Sequence, residues 1–415
     1  MERLLPVDII FNIFYRLPAE SVLLCSQVCK TWRNLIRLPY FADTHLRFRR
    51  KLLQLEDDHS HFNLDASNFN GAANKVGGLG ILFAIQFSDK DKGNVGLYYG
   101  EYDENNIDKK FSYRTLTKIN IPPINEQKTP HSMVGSCNGL ICFSMPYMYH
   151  THEHGFYICN PITREYKRLY EISKCEPMVY GFGYIPSCNE YKIVRICDCG
   201  RIQVYTIGSG NGWRNKEKIT CKLGSPSYPP PPGILANGAL HWLDHMAPMK
   251  ILAFDLADEK FRVVPSPPCF LPAGYNQSKH HFQLQELGRC LCLVHHVKGE
   301  RMDIWSLKKM KNSTNDNMED QEYQLWTWSR EFSIRCNGWI LGEYKPFALT
   351  KSGEVLFWRD NKILFRYDPK TGTLKKLSVE DWDLKFFQAI PHMNSFVSMK
   401  ALGEKSRKRK QYMRR

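Results

Sequence analysis

Residues 156–169 read FYICNPITREYKRL, and the same grammar returns in ILAFDLADEKFRVV from Ile251 and ILFRYDPKTGTLKKL from Ile363. Each stretch opens on an apolar alternating run, passes through Asn or Asp and a few polar residues, and leaves on a second run that sets an aromatic residue or Leu beside a basic one. Alternation is the period of a half-buried strand, and Asn or Asp followed by Pro and polar residues is hairpin-turn chemistry. A second phrase precedes the first: GSCNGLICFS from Gly135, LANGALHWLD from Leu235, LGRCLCLVHH from Leu287 and KSGEVLFWRD from Lys351. Gly139, Gly238 and Gly353 in these phrases suit turns that need positive φ or a close strand approach.

A four-stranded antiparallel unit has two apolar faces that it cannot cover alone. Stacking such units in a ring covers both faces and leaves only short edges. The repetition therefore predicts an all-β propeller, with strands such as KLLQLE, GILFAIQF, GLYYGEYD, KIVRIC, RIQVYTI and EVLFWRD between Gly, Asn, Asp and Ser turns. Roughly 350 residues at about 45 to 55 per blade give six or seven blades. The phrasing places six, near 51–120, 131–170, 180–220, 234–268, 282–333 and 345–380. The strand-like FFQAIPHMNSFVSM from Phe386 is expected to close the ring against the first blade.

The first fifty residues keep a different period. Ile9, Ile10, Ile13, Phe14 and Leu17 fall on one helical stripe, Pro6 suits a first turn, and Asp8 complements the helix dipole. Leu17-Pro18 stops that helix. A second short helix begins at Pro18 with Val22, Leu23 and Leu24 apolar; Cys29, Trp32 and Ile36 mark a third, and PYFADTHL from Pro39 reads as a last turn. Three helices in about forty residues bury too little apolar surface to be comfortable alone, so the head requires a partner. The stripe could also be spent on packing against the following domain. The organisation read from the chain is a helical head over 1–50, a propeller over 51–400 and a basic disordered tail over 401–415.

LLPVDIIFNIFYRLPAESVLLCSQVCKTWRNLI resembles the F-box: Leu5-Pro6, Ile13-Phe14, Leu17-Pro18, Val28-Cys29-Lys30 and Trp32 take its places in order, with Phe14 where Leu is common. The resemblance implies docking onto the Skp-type adaptor of a cullin-based SCF ubiquitin ligase. The expected partner-binding residues are Leu5, Pro6, Ile9, Ile10, Ile13, Phe14, Leu17, Pro18, Leu23, Val28, Trp32 and Leu35. Trp32 is the anchor expected to cost most on truncation, on the order of 2 kcal/mol or more. Downstream, Gly135–Leu140, Asn160–Thr163, Gly181–Tyr184, Asn237–Trp242 and Phe254-Asp-Leu resemble the kelch-like, plant F-box-associated interaction domain, which implies a substrate-recruiting role.

Bulk properties fit this organisation. Of the formal charge of +15, the head carries +4 and KSRKRKQYMRR carries +7, leaving the large central part nearly neutral and without a broad phosphate-binding face. Fourteen cysteines, many inside apolar runs, read as buried thiols of a reducing compartment, and MERLLPVDIIFNIFYRLP is a poor signal peptide. No run approaches a membrane span. Cytoplasm, nucleus or both are the expected setting, and the tail resembles a short basic import signal as well as a plain solvated tail.

Other chemistry is weaker. His150, His152 and His154 alternate, but as a loop between strands they suit solvent better than a metal. Cys197/Cys199 and Cys290/Cys292 have a spacing that puts both thiols on one strand face, as core. SPSYPPPPG from Ser225 reads as a polyproline connector, and the polar stretches from Glu56 and Lys311 as long excursions. Neither a phosphate-cradling loop nor a nucleophile elbow is present. No cofactor, metal or catalytic residue is expected, and no membrane or nucleic-acid partner. The sequence thus predicts a non-catalytic adaptor that recruits a target protein for ubiquitination. A propeller enzyme carrying an F-box and a nucleic-acid-binding regulator using the tail are the alternatives.

Overall fold

The computed structural model describes residues 5–52, 79–87, 95–102, 116–119, 132–148, 153–172, 177–197, 199–219, 223, 231–246, 249–270, 279–309, 326–335, 344–350, 352–360, 363–377, 384–405 and 407–408. The head is helical: α1 (Val7–Arg16), α2 (Ala19–Val28), α3 (Lys30–Ile36) and α4 (Pro39–Leu52). Pro6 and Pro18 precede the first two helices, and the Cys29 thiol caps α3 by accepting from the Trp32 amide at 3.4 Å. Helix α4 is fourteen residues long, where a single turn is expected, because His45, Leu46 and Arg49 extend its buried face. Lys51 and Leu52 are therefore helical, and KLLQLE does not begin as a strand.

The strands form six antiparallel sheets among the described residues. The first blade holds β1 (Leu79–Phe87), β2 (Gly96–Tyr102) and β3 (Thr117–Ile119). The second runs β4 (Ser132–Cys137), β5 (Leu140–Met148), β6 (Glu153–Cys159), β7 (Glu165–Ile172). The third is β8 (Pro177–Ile185), β9 (Glu190–Cys197), β10 (Ile202–Thr206), β11 (Trp213–Lys216), and the fourth β12 (Ile234–Ala236), β13 (Ala239–Asp244), β14 (Lys250–Asp255), β15 (Phe261–Val264). Blade five comprises β16 (His280–Leu287), β17 (Cys290–Val297), β18 (Arg301–Lys309), β19 (Trp326–Arg335). Blade six comprises β20 (Tyr344–Leu349), β21 (Val355–Arg359), β22 (Ile363–Asp368), β23 (Thr373–Lys376). A further strand, β24 (Leu384–Pro391), pairs with β1 from Ile81↔Pro391 onward. Strand β24 thus becomes the inner strand of the amino-terminal blade and closes the ring, as the FFQAI stretch predicts. The six-bladed reading holds.

Apolar clusters lie between blades, where alternation sends successive side chains to opposite neighbours. Leu240, Trp242, Phe254 and Leu256 of blade four meet Val179, Val194 and Val204 of blade three. The Gly-Phe-Gly-Tyr phrase is explained there: a Cβ on Gly181 would lie 2.9 Å from Leu240, and one on Gly183 would overlap Leu256. Missing side chains on this inner strand let the next blade close in. A polar tie joins the same two blades. Glu259 meets Lys192 (2.9 Å), Arg214 (2.6 Å) and Lys216 (2.5 Å); burial alone would raise its pKa, and the three cations bring it down to about 2.

The three opening stretches share one turn geometry. Asn160 Oδ1 accepts from the amides of Ile162 (2.8 Å) and Thr163 (3.3 Å), and Asp255 Oδ1 from those of Ala257 (2.7 Å) and Asp258 (2.9 Å). Asp368 Oδ1 accepts from the Lys370 amide at 2.8 Å. Cys290 and Cys292 lie on β17 as the spacing requires, but Cys199 is exposed in the turn after β9, so Cys197 and Cys199 do not share a buried face. The start of the expected tail is also part of the body: Glu404 is buried, and β25 (Arg407–Lys408) pairs with Glu165 and Tyr166 of β7. The excursions from Glu56 and Lys311, His150, His152, Ser225–Pro230 and the last seven residues lie outside the described residues.

Candidate partner-binding site

The head closes a small core of its own from Ile10, Phe11, Phe14, Val22, Ile36 and Phe41. Phe14 is 1% exposed, with Trp32 edge-on to its ring at 5.2 Å and Phe41 edge-on at 6.4 Å. Ile9, Ile10, Ile13 and Phe14 read as one stripe in sequence, yet neighbours on a helix are about 100° apart and so broad a stripe splits in two. Ile10 and Phe14 turn into the core. Ile9 and Ile13, one turn apart, face outward at 47% and 44% exposure.

This divides the expected site. Leu5, Pro6, Ile9, Ile13 and Val28 are exposed; Leu17, Pro18, Leu23, Trp32 and Leu35 are half-buried. Ile10 and Phe14 are corrected to core residues, since no partner can reach them in this fold. Trp32 is half-buried and lies edge-on over Phe14, so truncating it would disturb the core of the head as well as its surface. Val7, Leu24 and Tyr40 are exposed apolar side chains that the sequence reading did not select. Leu24 was legible: it stands one turn before Val28, on the side of α2 away from the buried Val22.

An exposed apolar surface of this kind on so small a unit is the signature of an interface. Asp8 and Arg16 at the two ends of α1 and Lys30 on α3 are also exposed, giving a polar rim.

The ring offers two rims. Connections between first and second strands, and between third and fourth, share the head's side; Asn138, Asn160 and Gly208 lie there against the segment that meets the head. Strands β1, β5, β9, β13, β17 and β21 end at the opposite rim. On that rim blade five carries a histidine group: His280 Nδ1 lies 2.9 Å from His295 Nε2, and His281 packs edge-on to His296 at 6.1 Å. Among the described residues no group of three or more His, Cys, Asp or Glu is arranged to hold a metal ion.

Burial pushes His45, His241, His295, His296 and His392 down to about 4. A histidine held neutral has a folded-state pKa below its unfolded value near 6.5, so the unfolded chain binds more protons between the two. Stability from these groups is full above about pH 6.5 and drains as pH falls toward 4. For the fully buried His241 and His392 the loss at pH 5 is about 2 kcal/mol each. Denaturant midpoints at pH 7 and pH 5 are expected to differ accordingly, and His392→Asn should narrow the gap.

Comparison with known proteins agrees with this architecture. Residues 101–402 match the F-box associated beta propeller domain and residues 3–43 the F-box domain. The F-box protein At3g07870 of Arabidopsis thaliana is 26% identical, covering 90% of this chain and 87% of that protein. From the same plant, the F-box/kelch-repeat protein At3g23880 is 23% identical over 80% of this chain and 79% of its own length. The F-box protein CPR1 is 23% identical over 91% of this chain and 85% of its own. No described helix is long and apolar enough to cross a membrane. With an amino-terminal F-box and a matched propeller over most of its length, the chain belongs to the family of F-box proteins that carry an F-box-associated β-propeller domain.

Proposed function

We propose that this chain is the substrate-recognition subunit of an SCF-type E3 ubiquitin ligase. The head docks on a Skp-type adaptor through Leu5, Ile9, Ile13, Leu24 and Val28, and the propeller rim away from the head holds the target protein. The observation that carries the reading is the outward-facing apolar stripe of α1 and α2 over a closed core, on a chain of F-box family. Burying each of these side chains is worth about 1.5–3 kcal/mol at full burial, enough in sum for a stable interface. The chain itself performs no covalent chemistry; relatives named as F-box proteins support a receptor. Holding a target lysine near a charged ubiquitin carrier raises its effective concentration, and that is the whole catalytic contribution.

Ile9→Asp/Ile13→Asp tests the docking half. Because both side chains point to solvent, the double variant is expected to fold normally and to bind the adaptor at least 100-fold more weakly in a pull-down or titration. Unchanged binding by the folded variant would sink the assignment.

A further inference from the structure

After β24 closes the ring, the chain does not leave the propeller. Residues 392–404 run in irregular conformation between ring and head, with Asn394 and Phe396 reaching the head and Ser395, Val397, Ser398 and Met399 the ring. Phe396 faces the head, edge-on to Phe41 at 5.6 Å and to His45 at 5.3 Å. Val397 and Met399 face the ring, inside the cluster of Leu140, Phe156, Phe182 and Tyr191 that also takes up Leu46 of α4. Asn394 donates to the Glu20 carboxylate of α2, and its Oδ1 lies 2.9 Å from His392 Nε2.

The ring grips this segment at four points. Asn160 donates from Nδ2 to the carbonyls of Ser395 (3.1 Å) and Val397 (2.7 Å). Ser395 donates to the Asn138 carbonyl at 2.5 Å, and Gly139, at φ 87°, has no Cβ because one would run into Ser395. Farther on, Glu165 accepts from the Ser398 hydroxyl, and Glu404 accepts from the Tyr205 hydroxyl (2.8 Å) and the Gly208 amide (3.0 Å) beside Lys167 (2.9 Å). Burial alone would raise the Glu404 pKa, but these partners outweigh it and hold its carboxyl below the usual range.

We propose that residues 392–404 form a two-faced strap that fixes the orientation of the helical head on the ring, with Phe396 as the positioning residue. Side chains on its propeller side anchor it; Phe396 packs edge-on against the α4 aromatics Phe41 and His45 of the head. Removing the ring of Phe396 leaves the anchors in place, so the head loses its bearing while the propeller keeps its fold. The proposal goes beyond adaptor and target recognition, and it says how far apart those two surfaces are held.

The test labels the full chain with distance probes through genetically encoded reactive residues at the exposed positions Gln27 in the head and Glu300 on the far rim, with no adaptor present. The native chain is expected to give one narrow distance distribution. Phe396→Ala should broaden it at least twofold with the propeller's unfolding temperature unchanged, and Phe396→Leu, which restores most of the wedge, should narrow it again. An unchanged distribution in Phe396→Ala overturns the proposal. So does a fall in the propeller's own unfolding temperature in that variant, because the segment would then brace the ring instead of positioning the head. Neither readout involves the adaptor, so failure here is distinguishable from failure of the ligase reading.

Discussion

Phe14→Ala is expected to unfold the head and leave the propeller standing. The side chain is 1% exposed and contacts Trp32 and Phe41 through edge-on rings. Phe→Ala truncations in cores cost about 3–5 kcal/mol, and a unit of four short helices has little more than that to lose. Amide hydrogen exchange should therefore speed up through α1–α3, while β4–β23 keep their protection. Ile13→Ala, one residue away on the outward face, should stay within about 0.5 kcal/mol of the native chain. The pair separates folding from docking: both variants lose adaptor binding, but only Phe14→Ala loses the helices.

Asn160→Asp is expected to cost about 3 kcal/mol or more, although it changes one atom. The turn needs only an acceptor, and aspartate supplies it in the equivalent turns at Asp255 and Asp368. The strap needs donors. Asn160 is fully buried and gives both amide hydrogens to the carbonyls of Ser395 and Val397; a carboxylate would set a charged acceptor against two acceptors out of water. Asp368→Asn makes the converse control. Among the described residues no strap crosses that turn, and the change should cost less than about 1 kcal/mol. Thermal or denaturant unfolding of the three chains checks the contrast, and equal costs at positions 160 and 368 would show that the turn alone matters.

Much of this molecule was legible because its physics is local. Period-two alternation and Asx turns placed the second to sixth blades within a few residues, and the closing strand showed as an apolar run; the first blade, read from residue 51, has its first described strand only at Leu79, because residues 51 and 52 belong to α4. The helical head was legible by period and by motif. What was hidden lies in pairings between distant parts of the chain. Asn160-Pro161-Ile162-Thr163 and Asn138-Gly139 read as turns that merely hold their own hairpins, and they do; nothing nearby in sequence says that residues 395–397 lie across them. Gly181 and Gly183 likewise look like turn or bulge residues until Leu240, Trp242 and Leu256 of the next blade are seen against them. On α1 the sequence showed how many apolar residues there are, but not which half the head would keep. The long α4 was missed because beyond Phe41 its inward face, His45, Leu46 and Arg49, is two-thirds polar or charged; His45 is held by the Leu17 carbonyl and Phe396, and Leu46 by the ring.

The most direct test of the account is a calorimetric titration of the full chain with a Skp-type adaptor at several temperatures. Outward apolar side chains on α1 and α2 that are covered by a second polypeptide require a one-to-one complex with a negative heat-capacity change, and Ile9→Asp/Ile13→Asp should abolish both. A folded native chain that gives no heat and no complex, with Ile9, Ile13 and Val28 still open to solvent, would contradict it.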